Sequence, residues 1–259
     1  MTGVQTCALP IWRGLAPTLA TLRGGPITTV APSTTATALT SITTGLTPGE
    51  HGLVGYRMDV GGDVMNVLRW HLPSGDARRS VDPARTQPFR PFLGESVPVV
   101  SRADLEGTAF TAAHLRGSRP HGWRTMSGLP VTVSHLVASG EPFVYAYYDG
   151  IDKVAHASGF GDHYDAEVAA ADRLVADLLD RLPVGAALVV TADHGQVHVG
   201  DQTLTPHPDV LRLTRYQSGE GRFRWLHARP GAAADLFDAA RQHHGDLAWV
   251  DRKSTRLNS

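Results

Sequence analysis

The sequence predicts an α/β protein with a mostly parallel central sheet and helices on both faces. Strand and helix patterns alternate along the 259 residues, which is the arrangement of domains with a largely parallel sheet. No proline interrupts the three apolar runs at residues 27–30, 143–148 and 186–191. The last run, AALVVT, is continuously apolar, which is typical of a strand that is covered on both faces.

The composition is that of an ordinary globular protein, with 42% hydrophobic and 19% charged residues. A net charge of −1 gives no indication of a nucleic-acid-binding surface or of attraction to an acidic membrane. No apolar run reaches the length of a membrane span. Cys7 is the single cysteine, so an intrachain disulfide and a cysteine-based metal site are excluded. The 13 histidines make metal chemistry worth examining.

Both ends of the chain look foreign to the rest of the sequence. Residues 1–11 lack the charged and apolar regions of a signal peptide, and residues 252–259 show no periodicity. Both strings resemble translated sequencing-adapter read-through. We therefore expect one incomplete domain at residues 12–251 between two non-native tails. Because no signal peptide is visible, we expect a cytoplasmic location, with the native N-terminus missing.

The first part of the chain predicts helix, strand and helix in turn. Residues 12–23 have scattered apolar positions and predict a helix interrupted at Pro17. The β-branched run at residues 27–30 predicts a buried strand. Residues 36–44 carry apolar and threonine side chains at helical spacing. Gly45 then provides the helix stop.

Three consecutive hydroxyl side chains, Ser33, Thr34 and Thr35, stand at the start of that second helix. Serine and threonine are preferred N-caps, so capping alone explains them on this stretch. A hydroxyl at a helix start also lies near unpaired N–H groups and the positive end of the helix dipole. That position suits an encounter with an anion such as phosphate.

The stretch at residues 57–98 is predicted to be rich in loops and to shape a pocket. Gly61-Gly62 favours a hairpin turn, and residues 73–91 predict a long surface loop. Beyond it, apolar runs alternate with amphipathic segments, of which the stripe within residues 165–182 is the clearest. The predicted strands lie at 97–101, 143–148, 186–191, 223–228 and 247–250, and the predicted helices at 108–116, 131–138, 165–182 and 232–243.

Carboxylates and imidazoles follow two of the predicted strands. Asp152 and His156 are spaced i, i+4, so on a helical turn they face the same way. Such a pair can bind one metal ion or form a simple salt bridge. Asp193 and His194 directly follow the strand at 186–191, where a common turn sequence is the simpler explanation. Ligand sites in parallel α/β folds lie at the carboxyl ends of strands. These oxygen and nitrogen donors suit zinc, with manganese or iron as substitutes.

Three segments carry a family resemblance: PSTTATALTSITTGLTPGEHGLVGY, YYDGIDKVAHASG and VVTADHGQV. In this order they resemble the alkaline phosphatase superfamily, and within it the type I phosphodiesterase/nucleotide pyrophosphatase branch. The resemblance implies an alkaline-phosphatase-like fold and a phosphoric-ester hydrolase with two zinc ions. It places the nucleophile on Thr35, with Ser33 and Thr34 as the alternatives if the register shifts.

The resemblance also assigns metal ligands. It implies that Asp152 and His156 hold one zinc, and that Asp193, His194 and Thr35 hold the other. Two ligands of the family, an aspartate before the nucleophile and a histidine near the carboxyl terminus, have no match here. We therefore expect the chain as given to be inactive or nearly so. His207, His243 and His244 do not match the missing histidine and are interpreted as surface residues.

One departure bears on the substrate. Tyr56 stands near the position of an asparagine that contacts the phosphoryl oxygen in nucleotide pyrophosphatases, so Tyr56 is a candidate substrate-binding residue. The expected partner is a small phosphodiester or nucleotide-like substrate. Two alternatives stay open: a phosphomonoesterase or a phosphonate or sulfate hydrolase on the same fold, and a truncated domain without catalytic activity. The sequence does not indicate an oligomeric state.

Overall fold

The computed structural model of the protein describes residues 14–201 and 203–252. It is a mixed α/β structure with two sheets and two short 3-10 turns at Phe92–Gly94 and Ala103–Leu105. The helices are α1 Pro17–Thr21, α2 Thr35–Thr44, α3 Pro48–His51, α4 Pro83–Thr86, α5 Ala109–His114, α6 Gly128–Ala138, α7 Gly150–Ser158, α8 Asp162–Arg181, α9 Pro208–Leu213 and α10 Ala233–His244. The strands are β1 Arg57–Val60, β2 Asp63–Asn66, β3 His71–Leu72, β4 Gly75–Asp76, β5 Pro98–Val100, β6 Arg119–Pro120, β7 Tyr145–Ala146, β8 Thr214–Gly219 and β9 Arg224–Ala228.

The larger sheet has six strands in the order β4-β3-β2-β1-β8-β9, and its paired strands are antiparallel. The predicted hairpin at Gly61-Gly62 is confirmed, since Val60 pairs with Asp63. Both glycines have positive φ, 64° and 97°, as a two-residue hairpin turn of the primed type requires. The stretch at residues 57–98 thus contains strands as well as loops.

The smaller sheet is parallel and has three strands in the order β6-β5-β7. The mixed α/β class is therefore confirmed, whereas a mostly parallel central sheet is not what the described residues form. Residues 186–191 are not a strand, and Val189 and Val190 are 85% and 45% exposed. Their apolar side chains lack the cover on both faces that a central strand needs. Only Leu188 of this run packs against a core cluster, beside Leu178.

The predicted strands at residues 27–30 and 247–250 are also absent from the described residues. Ile27 and Leu247 are 70% and 72% exposed, whereas Val250 packs against a core cluster without forming a strand. The predicted strand at residues 143–148 is reduced to Tyr145–Ala146, and the one at residues 223–228 is the antiparallel β9. Short apolar runs identify candidate strands but not their pairing partners.

The helices predicted after residue 30 are confirmed with shifted ends. The helix predicted at 12–23 is instead the short Pro17–Thr21, which begins at the proline that was expected to interrupt it, and residues 12–13 lie outside the described residues. In α2, Ala36, Leu39, Thr40 and Thr43 form one buried face. Thr40 Oγ1 donates to Ala36 O, one turn earlier, at 2.7 Å and so carries no unpaired polar cost, whereas Thr37 Oγ1 is buried without a hydrogen-bond partner. The apolar residues of this face belong to a core cluster, and the cluster fixes the helix that carries the three hydroxyls.

A second cluster joins the long helix α8 to the parallel sheet through Leu174, Leu178 and Val100. A third joins α1 and α7 to α8 through Ala16, Tyr164 and Val168. Helix α7, which follows the third parallel strand, is thereby held against α8. Among the described residues, no helix has both the length and the apolar character that crossing a bilayer demands.

Candidate active site

Thr35 occupies the first position of helix α2. Thr34 is the N-cap residue, with extended φ and ψ of −124° and 149°, and it makes no side-chain capping hydrogen bond. Its carbonyl instead accepts from Thr37 N and Ala38 N at 3.0 and 2.9 Å. The helix ends at Gly45, whose φ is 73°. Because Thr34 makes no capping bond, N-capping does not explain the hydroxyl run.

Helix α7 places Asp152 and His156 one turn apart on the same face. Asp152 Oδ1 lies 3.5 Å from His156 Nε2, as the i, i+4 spacing predicts. The same oxygen accepts a hydrogen bond of 2.8 Å from Gln196 Nε2. Gln196 therefore ties helix α7 to the segment that carries Asp193 and His194.

The segment at residues 192–195 fixes the orientation of the His194 ring. Its Nδ1 lies 3.1 Å from Gly195 O. A carbonyl oxygen can only accept a hydrogen bond, so Nδ1 carries the proton and Nε2 presents a lone pair. Asp193 Oδ1 accepts from His194 N at 3.1 Å, and Thr29 Oγ1 donates to Asp193 O. The lone pair on Nε2 is therefore available to bind a proton or a metal ion.

His194 Nε2 is the point where the predicted residues meet. It lies 2.9 Å from Thr35 Oγ1, 3.7 Å from Asp193 Oδ2 and 3.9 Å from Asp152 Oδ1. Thr35 and His194 are 159 positions apart in the chain. The fold therefore brings four of the predicted residues together around one imidazole nitrogen, and His156 joins them through Asp152.

Tyr56 lies apart from that meeting point. Its hydroxyl accepts a hydrogen bond of 2.6 Å from Asn66 Nδ2. Tyr56 lines a cavity of about 310 Å³, together with Arg57, Glu220, Arg224 and the residues between 217 and 221. Sequence reasoning did not single out Asn66, because it belongs to strand β2 and only the fold brings it to Tyr56.

Sequence reasoning also missed the tip of the hairpin between β8 and β9. Arg222 Nη2 donates to Ser33 Oγ at 3.1 Å, so a guanidinium lies beside the hydroxyl run. Burial raises the pKa of Glu220, while Arg222, His194 and a hydrogen bond with Thr34 act in the opposite direction. No local sequence pattern identifies these residues. Arg222 and Ser33 are 189 positions apart in the chain, and only the fold brings them together.

Two glycines allow this hairpin to pack closely against the segment before Tyr56. A Cβ on Gly55 would lie 3.2 Å from Gly219 Cα, and a Cβ on Gly219 would lie 2.1 Å from Phe223 O. Gly219 also has φ of 94°, a conformation that favours glycine. The backbone of the hairpin and the segment before Tyr56 are therefore in direct contact.

Burial dominates the electrostatics around Asp193. Burial raises the pKa of the Asp193 carboxyl, and His194 and its backbone N–H pull the pKa back down. Burial also raises the pKa of Tyr147, with the negative charge of Asp193 as the next cause. Burial removes water from the Asp193 carboxylate, so its negative charge is energetically costly. A metal ion or a positively charged group beside it would relieve that cost.

The donor set fits zinc chemistry in part. Each predicted pair supplies one carboxylate oxygen and one imidazole nitrogen, separated by 3.5 Å for Asp152/His156 and by 3.7 Å for Asp193/His194. Bonds of about 2.1 Å to a tetrahedral zinc set ligand atoms roughly 3.4 Å apart. Both pairs are therefore close to the spacing that one ion requires, and Thr35 Oγ1 adjoins the second pair.

The fold and the site define a mixed α/β protein in which a hydroxyl, an imidazole and two carboxylates meet beside one helix start. A family model described as type I phosphodiesterase / nucleotide pyrophosphatase matches residues 3–128 and 140–254. The chain belongs to this family, which is part of the alkaline phosphatase superfamily. A search of curated proteins finds no match. The assignment of residues 1–11 and 252–259 as foreign tails stays a prediction, since residues 1–13 and 253–259 lie outside the described residues.

Proposed function

We propose that the natural protein hydrolyses a phosphodiester or nucleotide-pyrophosphate bond, with Thr35 as the nucleophile. The observation that carries the proposal is the 2.9 Å contact between Thr35 Oγ1 and His194 Nε2, beside Asp152 and Asp193. A nucleophilic hydroxyl needs a partner that removes its proton or stabilises its alkoxide. Helix α2 adds its positive end, which favours the anionic phosphate.

Two zinc ions are the proposed cofactors, with manganese or iron as substitutes. Asp152 and His156 would hold one ion, and Asp193, His194 and Thr35 would hold the other. When bound, such ions lower the pKa of a ligating hydroxyl and neutralise charge on the phosphoryl oxygens. The chain itself orients this site, because Gln196 fixes Asp152 and the Gly195 carbonyl fixes the His194 tautomer.

The proposed reaction has two steps on Thr35. The Thr35 oxygen forms a bond to phosphorus while the bond to the leaving-group oxygen breaks and that oxygen takes the electron pair. The hydroxyl proton is lost to solvent water as the bond forms, because His194 Nε2, which faces the hydroxyl in this structure, would be a metal ligand when zinc is bound. Water then attacks the phosphorus of the threonine-bound intermediate, the bond from phosphorus to Thr35 breaks, the threonine oxygen regains a proton, and a phosphomonoester is released.

Arg222 and Tyr56 are the proposed substrate-binding residues. Arg222 lies at Ser33, so its guanidinium is placed to donate hydrogen bonds to a non-bridging phosphoryl oxygen. Tyr56 lines the cavity that also contains Glu220, and Glu220 reaches Thr34. We infer that the leaving group of the substrate occupies this cavity.

A phosphomonoesterase is the second candidate, with a phosphonate or sulfate hydrolase as a related activity. The observation in its favour is Arg222 beside the hydroxyl run, because a phosphomonoester carries one more negative charge than a diester. Tyr56 in place of an asparagine points the same way. The natural full-length protein, assayed side by side on an aryl phosphodiester and an aryl phosphomonoester, separates the two. A preference for the diester is expected, and a clear preference for the monoester would overturn the first choice.

A domain without catalytic activity is the third alternative. Elemental analysis of the purified natural protein bears on it directly. We expect zinc or manganese in the protein together with turnover of the diester. Neither metal nor turnover in the full-length protein would favour a binding or inert domain.

A further inference from the structure

A second group of metal-ligating side chains lies outside the candidate active site. His207, Asp209 and His243 each offer one ligand atom, and these atoms all lie within 4.8 Å of one another. Among the described residues, these are the three potential metal ligands that the structure brings within this distance of one another. The residues come from α9 and its N-cap and from the last turn of α10, so they share no residue with the Thr35 site.

The two distances from the Asp209 carboxylate to the imidazole nitrogens are close to those between ligand atoms of one bound ion. Asp209 Oδ2 lies 3.5 Å from His207 Nδ1 and 3.3 Å from His243 Nε2. Zinc with bonds of about 2.1 Å in tetrahedral geometry sets its ligand atoms roughly 3.4 Å apart. One carboxylate oxygen and two imidazole nitrogens make up a common zinc ligand set, with a fourth position left for water.

Neighbouring groups hold the ligands in place. Asp209 Oδ1 accepts from Arg212, which leaves Oδ2 for the cluster. His244 Nε2 accepts a hydrogen bond of 2.9 Å from His207 N, and this bond joins the start of α9 to α10. Outer contacts of this kind orient metal ligands in proteins. All three ligands are half-buried, so an ion can enter from solvent.

The arrangement of the two rings shows what ion binding would change. His207 and His243 are stacked, with ring centroids 3.6 Å apart and planes at 6°. Nitrogen lone pairs lie in the ring planes, so a shared ion requires the two rings to tilt apart. His207 Nδ1 also accepts a bond of 3.2 Å from Asp209 N, which the ion would replace.

We propose that His207, Asp209 and His243 form a structural site for a zinc-class divalent cation that clamps α9 to α10. The same two helices meet in a small core cluster of Val210, Leu236 and Ala240. A cluster of this size provides limited burial of its own, so a metal link between its two helices adds stability. The proposal goes beyond the hydrolase function and does not depend on it.

Zinc titration of the metal-free 259-residue chain, in competition with a chromophoric chelator, tests the proposal. We expect His243→Gln and Asp209→Asn each to bind one equivalent of zinc fewer than the unsubstituted chain. His135→Gln, which removes an exposed histidine of α6, should leave the stoichiometry unchanged. Circular dichroism confirms that each variant is folded before its titration is compared.

The active site is distinguished by Asp193→Asn in the same assay. Loss of zinc only in Asp193→Asn would overturn the structural site while leaving the hydrolase proposal intact. Loss only in His243→Gln and Asp209→Asn would support the structural site and would show that the chain as given does not hold zinc at Asp193. Melting temperature gives a second readout: zinc at a hundredfold excess over its Kd should raise it by roughly 5 °C or more. That rise should be smaller in His243→Gln than in the unsubstituted chain, and an equal rise there would contradict the proposal.

Discussion

The hydroxyl of Thr35 and the Nε2 atom of His194 lie 2.9 Å apart, although 159 positions separate them in the chain. The tautomer of His194 is fixed by Gly195 O, so the nitrogen facing Thr35 has a free lone pair. A hydroxyl at a helix start thereby acquires a partner able to bind its proton or to share a metal ion with it.

Asp193→Asn should weaken zinc binding and at the same time stabilise the metal-free protein. The variant loses a carboxylate ligand, so zinc affinity should fall by more than the roughly 10–100-fold that loss of an outer-shell partner costs. Burial raises the pKa of Asp193, which means that its charge is unfavourable in the metal-free fold. With a chelator present near neutral pH, the variant should therefore melt at a higher temperature than the unsubstituted protein. Calorimetry checks this, and a lower melting temperature would contradict the electrostatic account.

Arg222→Gln should weaken catalysis through the phosphate. A hydrogen bond to a charged group contributes about 1.5–3 kcal/mol, so kcat/KM should fall about tenfold to a hundredfold. Arg222→Lys should recover part of the loss, because it keeps the charge without the planar fork. Arg173→Gln, on the exposed side of α8, is the control and should change nothing. If Arg222→Gln behaved like the control, the hairpin tip would have no role in substrate binding.

Gly219→Ala should disturb the hairpin that carries Arg222. The added Cβ would meet Phe223 O at 2.1 Å and would sit at φ of 94°. Such overpacking costs about 1–3 kcal/mol, so the free energy of unfolding should fall by this order in denaturant titrations. Gly221→Ala is the matched control, since its Cβ would have nothing within 4 Å. Equal stability of the two variants would argue against the close packing of the hairpin tip.

The fold should also lose stability in acid through His114. This ring is buried, stacks on Phe110 at 4.1 Å and has its pKa lowered from 6.5 to about 4 by burial. A lowered folded-state pKa means that stability is complete above the unfolded value and is lost as the pH falls from 6.5 toward 4. Each pKa unit corresponds to about 1.4 kcal/mol, so the full loss is about 3 kcal/mol.

His114→Asn should flatten this pH dependence, because it keeps a donor for Phe110 O without a titrating ring. The measurement is the unfolding free energy as a function of pH, in which the slope is compared and not the absolute value. His135→Gln should leave the slope as it is in the unsubstituted protein. An unchanged slope in His114→Asn would show that other groups cause the acid sensitivity.

The sequence predicted local features of this protein better than its sheets. Helices α2 and α8 have strong periodicity and stop signals, and both are found where the pattern places them. Residues 186–191 met the pattern of a buried parallel strand, yet Val189 and Val190 are exposed and unpaired in the described structure. Strand pairing depends on partners far away in the chain, and a local pattern cannot identify them.

The candidate site shows the same division. Thr35, Asp152 and the Asp193-His194 pair could be selected from motifs, because each motif is local. Arg222 and the cluster of His207, Asp209 and His243 could not, because their neighbours are set by the hairpin and by the packing of α9 on α10. His207 and His243 were interpreted as surface residues, whereas the structure places them half-buried around a carboxylate.

Turnover of an aryl phosphodiester by Thr35→Ala, measured in the natural full-length protein, tests the central claim most directly. Loss of the nucleophile should lower kcat at least about a thousandfold. Ser33→Ala and Thr34→Ala are the matched controls, since they remove neighbouring hydroxyls and should retain most of the activity. Turnover by Thr35→Ala at the unsubstituted rate, or its loss in Ser33→Ala or Thr34→Ala instead, would contradict Thr35 as the nucleophile.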